Sequence, residues 1–175
     1  MTALPTTQTI HRRGAWNDAS DTVTLSYDDR FFRRRKLVSD AGKRFVLDMP
    51  QTVSLDAGDA LELPDGTLVE VAAAPEALYA VTGDNLPRLA WHIGNRHTPC
   101  QIGEGRLLIQ RDKVIGHMLE HLGATVTEVT EPFTPEGGAY GHGRTHAHEH
   151  GATAHSHSHD HGHSHDHDHA HDHAH

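Results

Sequence analysis

Residues 77–129 read ALYAVTGDNLPRLAWHIGNRHTPCQIGEGRLLIQRDKVIGHMLEHLGATVTEV, and the changes of period along them decide the fold. Ala77-Leu78-Tyr79-Ala80-Val81-Thr82 reads as a strand. Asp84 or Asn85 can cap a helix with Pro87 in its first turn. Leu86, Leu89, Ala90 and Ile93 then fall at i, i+3, i+4 and i+7, one apolar helical stripe, and Gly94-Asn95 are stop signals. Pro99–Ile102 and Arg106–Gln110 read as short strands around Gly103-Glu104-Gly105. Asp112 can cap a second helix carrying Val114, Ile115, Met118, Leu119 and Leu122, ended by Gly123. Residues 124–129 are a β-branched strand. The order β-α-β-β-α-β is the ferredoxin-like arrangement, a sheet with two helices on one face.

Upstream the period is different. Residues 1–20 are polar and weakly patterned, whereas Asp21–Tyr27 alternates with Val23, Leu25 and Tyr27 on one face. Residues 33–49 read as two strands around Ser39-Asp40-Ala41-Gly42, with Gly42 suited to a positive-φ turn. Leu61–Leu63 and Leu68–Val71 form a further hairpin around Pro64-Asp65-Gly66. Residues 21–73 therefore read as five or six short strands, and Ala72–Glu76 as a hinge. The expected fold class is α+β. It comprises an N-terminal β domain (1–74), a ferredoxin-like domain (75–135), and a flexible linker with a histidine-rich tail (136–175).

That tail indicates metal. Residues 142–175 hold 15 of the chain's 20 histidines. They are His142, His146, His148, His150, His155, His157, His159, His161, His163, His165, His167, His169, His171, His173 and His175. From His155 to His175 every odd position is histidine with only Ser, Asp, Gly and Ala between, so the segment cannot build an apolar core and reads as disordered. An affinity tag would place its histidines consecutively. Neutral imidazole suits nickel, zinc and copper, and protons compete with metal for its ring nitrogen. A flexible tail implies several similar sites of modest affinity.

Charge and composition exclude other classes. The net charge is -9, and residues 142–175 supply -4 of it through five acids and Arg144. Nucleic-acid binding would need a basic surface, so no nucleic-acid partner is expected. No apolar run approaches a membrane span and the first residues lack a signal-peptide core, so the expectation is a cytoplasmic protein without membrane contact. Cys100 is the sole cysteine.

The remaining histidines sit in the folded part. His97, at the end of the first helix, reads either as a dipole-favoured cap or as half of a metal site completed by a second chain on a two-fold axis. His92 is off that face. His117 and His121 share a face at i,i+4, but a zincin pair would have glutamate where Met118 stands. Cys100 is within reach of the same metal as His97, or is a small buried hydrophobe. Arg33-Arg34-Arg35-Lys36 reads as a charged sheet edge or as a docking face for an acidic partner. No phosphate-binding loop and no catalytic triad or carboxylate pair appears, so the chain does not read as an enzyme.

The combination resembles the UreE family of urease accessory proteins, the nickel metallochaperones. The stretches that carry the likeness are Asp28-Asp29-Arg30 with the following arginines, Leu47-Asp48-Met49-Pro50, His92-Ile93-Gly94-Asn95-Arg96-His97, Asp112-Lys113-Val114 through Met118-Leu119, Leu122-Gly123-Ala124, and Pro132–Tyr140. The resemblance spans roughly residues 20–141 and implies a partner-binding β domain and a dimerising ferredoxin-like domain. It also implies an interface metal site with His97 from each of two subunits, supplemented by tail histidines. The cargo it implies is Ni(2+), with Zn(2+) or Cu(2+) as alternatives in vitro. The partners it implies are a second copy of the chain, the urease accessory GTPase and its complex on apo-urease. Some members have a histidine pair near the start of the second helix, where this chain has Arg111 and Lys113. The alternative function is nickel or zinc storage without delivery.

Overall fold

The computed structural model describes residues 3–139. The histidine tail lies outside the described residues. The architecture is α+β, and its elements follow from local sequence in most places.

The N-terminal half holds two small sheets. β1 (Thr6–Thr7), β5 (Arg44–Ser54) and β4 (Phe31–Val38) form one, in the order β1-β5-β4. β2 (Thr9–His11), β6 (Ala60–Glu62), β7 (Leu68–Ala73) and β3 (Asp21–Leu25) form the other, in the order β2-β6-β7-β3. Alternation along β3, β5 and β7 points Val23, Leu25, Phe45, Leu47, Val69 and Val71 into one core. The β4–β5 hairpin turns at Gly42, whose φ of 89° is the left-handed conformation the turn needs.

Two expectations about this half change. Residues 1–20 are not without strands: β1 pairs in parallel with β5, and β2 pairs antiparallel with β6. Two or three residues are too few to show a period, and partners far along the chain define these strands. Tyr27 does not continue the β3 face, because the chain turns after Leu25 into a 3₁₀ turn at Asp28–Arg30. Arg30, three residues ahead of the basic run Arg33–Lys36, is 3% exposed, which the sequence does not signal.

The second half is the expected ferredoxin-like unit. β8 (Pro75–Thr82), α1 (Leu86–Gly94), β9 (Gln101–Gly103), β10 (Arg106–Gln110), α2 (Lys113–His121) and β11 (Thr125–Pro132) follow one another. The sheet is antiparallel throughout, in the order β11-β8-β10-β9. Period-2 alternation splits its side chains. Val81, Leu107 and Ile109 face the helices and pack with Leu89, Ile93, Ile115 and Leu119, whereas Leu78, Ala80 and Leu108 face away and pack with Phe133. β11 runs three residues further than its β-branched stretch, because its register with β8 continues to Pro132 opposite Pro75. Val114, placed by its spacing in the α2 stripe, is 78% exposed. It sits in the first turn, beyond the edge of the face that Ile115 and Leu119 bury.

The two halves meet at Arg30. Its guanidinium donates to the Leu25 carbonyl at 3.0 Å and to the Phe133 carbonyl at 2.5 Å, and lies 5.7 Å from the Tyr27 ring centroid. The Tyr27 ring meets Phe133 edge-on at 5.4 Å, and the Tyr27 amide donates to the Glu76 carboxylate at 2.7 Å. A buried charge-assisted bond contributes roughly 1.5–3 kcal/mol, and orphaned buried carbonyls cost more than exposed ones. Arg30→Ala is expected to lower unfolding free energy by about 3 kcal/mol in urea titration; a loss under about 1 kcal/mol would contradict this role.

Candidate metal centre

α1 starts where the Asn85 side chain accepts the Arg88 amide at 3.1 Å, and Pro87 occupies its first turn. Its buried stripe, Leu89 and Ile93, holds it on the sheet. The way it ends sets the conformation of His97. The His97 amide bonds the Gly94 carbonyl at 2.9 Å, and the Thr98 amide reaches the Ile93 carbonyl at 3.4 Å. This 5→2 and 6→1 pairing is a Schellman closure, whose left-handed residue is usually glycine. Here that residue is His97, with φ 56°.

α2 provides the comparison within the same chain. Gly123 bonds Glu120 at 2.9 Å and Ala124 bonds Leu119 at 3.0 Å, the same closure, with Gly123 at φ 88°. The two helices thus end alike, one on glycine and one on histidine. A side chain in the left-handed region costs roughly 1–2 kcal/mol. Such strain at an exposed imidazole is an observation from which function can be argued. The motif also places His97 three residues beyond the helix and not at its end as the sequence reading has it.

The segment that leads towards the tail is anchored close by in sequence. Phe133 is fully buried, the Thr134 amide donates to Gln101 Oε1 at 2.8 Å, and the Glu136 amide donates to the Cys100 carbonyl at 2.9 Å. Residues 133–136 therefore run along residues that follow His97 by three and four positions. The tail histidines from His142 to His175 lie outside the described residues.

Cys100 sits against the helix-facing core. Burial, and secondarily the Glu136 carboxylate, push its thiol up to about 11. The protonated thiol is a poor metal donor, since metal binds the thiolate. His11 Nε2 lies 2.6 Å from Glu62 Oε2, a cross-strand pair of the β2–β6 edge. His92, which the sequence sets on a different helical face from His97, lines one concavity with His117 and His121, together with Arg96, Met118 and Leu122. Only the packing of α1 and α2 on the same face of the sheet brings them to one concavity, and no sequence spacing carries that. Among the described residues no three His, Cys, Asp or Glu side chains converge as a metal site.

The basic run lies on β4, an edge strand, as one sequence reading has it. Arg35 pairs with Asp29 at 2.7 Å and holds that carboxyl below the usual range, and Arg34 stands 3.6 Å from Asp48. Arg33, Arg34 and Lys36 are exposed. Among the described residues no helix is long and apolar enough to cross a membrane.

Comparison with known proteins covers the whole of this architecture. Residues 2–74 match the family model described as UreE urease accessory protein, N-terminal domain, and residues 76–175 match its C-terminal domain model. A urease accessory protein UreE of Ruegeria pomeroyi is 63% identical over 143 residues, 82% of this chain and 96% of that protein. The protein of the same description from Cereibacter sphaeroides is 56% identical over 146 residues, 83% of this chain and 80% of that one.

Two outcomes follow from the local geometry. His97→Gly should relieve about 1–2 kcal/mol of left-handed strain against about 0.5–1 kcal/mol of added chain entropy, a small net gain in metal-free denaturation; clear destabilisation would contradict the assigned backbone. Alkylation of Cys100 should be slow at pH 8, where a thiol of pKa about 11 is ionised on the order of one part in a thousand, and accelerate until pH reaches about 11. A rate plateau near pH 8.5 would place the thiol in solvent.

Proposed function

The chain belongs to the UreE family of urease accessory proteins, the nickel metallochaperones, and on that premise we propose that it captures Ni(2+) as a homodimer and delivers it to apo-urease. The observation that carries the proposal is the exposed His97 imidazole, held in a left-handed closure at a backbone cost that a purely structural cap would avoid with glycine. One imidazole is not a metal site. A two-fold axis sets two copies of a residue opposite each other, and two His97 rings then present two donors to one ion. Tail histidines complete the coordination, and the anchoring of residues 134 and 136 beside Gln101 and Cys100 shortens the path they must span.

The division of labour follows. Residues 142–175 act as antenna and reservoir, because fifteen imidazoles with no bulky apolar residue between them offer many weak, adaptable sites. The residue 75–135 domain dimerises and holds the ordered site, and residues 1–74 meet the partner proteins. Those partners are the urease accessory GTPase and its complex with apo-urease in the cytoplasm. Zn(2+) and Cu(2+) compete in vitro, since imidazole donors do not by themselves select among these ions. Ions leave readily because imidazole ligands exchange protons for metal near neutral pH.

Calorimetric nickel titration tests this. His97→Ala should weaken the tightest site by more than the ~10–100-fold typical of losing an outer partner of a ligand, with tail loading kept. Deleting residues 142–175 should lower the number of ions bound and leave the dimer intact. Unchanged high-affinity stoichiometry in His97→Ala would refute the interface site. Absence of transfer or of a ternary complex with the accessory GTPase would favour storage.

A further inference from the structure

We propose that the groove between α1 and α2 is a second metal site, a borderline transition-ion chelate formed by His117 and His121 and joined by His92. The argument begins with α2. Asp112 accepts the Val114 and Ile115 amides at 2.8 and 3.0 Å, fixing the helix start, and Gly123 closes its end. On this rigid segment His117 and His121 stand at i,i+4, so their β-carbons are about 5–6 Å apart on one face. Both are exposed, so each can turn towards an ion at little desolvation cost.

α1 supplies the facing wall. His92, Arg96, His117, Met118, His121 and Leu122 line one concavity of about 420 Å³. The three side chains do not converge on a point as they stand among the described residues. The site is accordingly a two-imidazole chelate that His92 completes by changing rotamer. No carboxylate lines the groove. Its attraction for a cation is therefore donor chemistry and not charge, which excludes magnesium and calcium and selects copper, nickel or zinc. The Arg96 guanidinium, tied to the His92 carbonyl at 3.0 Å, disfavours a bare cation and favours an anionic fourth ligand on the ion. Arg96 also precedes His97, so on the reading of His97 given above the groove is a transit stage beside the interface site.

Methionine methyl groups make the test specific in the full chain. Met118 lines the groove, and Met49 packs against the N-terminal core and serves as control. The protein labelled at methionine methyls is titrated with Cu(2+), a paramagnetic probe, past the capacity of the tail. The Met118 signal should vanish while that of Met49 persists. His117→Ala/His121→Ala should restore Met118 to the level of Met49. His92→Ala should raise the copper concentration for half-loss about tenfold, and an unchanged response would remove His92 from the site. His97→Ala should leave the Met118 response in place, which keeps this test separate from that of the interface site. The proposal fails if Met118 never responds, if the double variant still loses it, or if His97→Ala alone abolishes the effect.

Discussion

The guanidinium of Arg30 lies buried between the carbonyls of Leu25 and Phe133, residues on opposite halves of the chain. A charge at that depth persists only when its donors are used, and here they bind the two halves at their junction. The consequences extend in both directions. Upstream, the chain leaves Arg30 directly into β4, the edge strand that presents Arg33, Arg34 and Lys36 to solvent. Downstream, Phe133 is seated against Tyr27 and under Leu78, Ala80 and Leu108, so the segment leading to the tail leaves from a fixed point. The same arginine thus ties the start of the basic edge to Phe133.

The second constraint is local. α1 and α2 close by the same hydrogen-bond pattern, and only one of them does so on glycine. Histidine in the other closure stiffens the placement of an imidazole that would wander on an ordinary loop. On the proposed function, that imidazole and the fifteen histidines of residues 142–175 have different uses: the array collects ions, and a His97 pair across a symmetry axis would give one ion a defined geometry for hand-over.

Both helices were legible in the sequence, since their apolar stripes, Asn85 and Asp112 caps and terminal Gly123 are local signals. The element order of the second half was legible too, from the changes of period along it. Three features were not legible, for three physical reasons. β1 and β2 are too short for a period and exist through β5 and β6. The left-handed residue after α1 is His97, whereas the glycine that signals a stop, Gly94, still lies within the helix. The lining of one concavity by His92, His117 and His121 depends on how α1 and α2 pack on the sheet, a tertiary fact. The burial of Arg30 is a further case, because nothing in the sequence signals its carbonyl partners.

The claim that symmetry turns a lone histidine into a nickel site is most directly tested in a hybrid dimer, with one wild-type chain and one His97→Gly chain, purified on two different affinity handles. The account predicts that the hybrid loses the tight site of one ion per dimer, as the doubly substituted dimer does, while its tail loading remains. A hybrid that holds one nickel ion per dimer with wild-type affinity would contradict it.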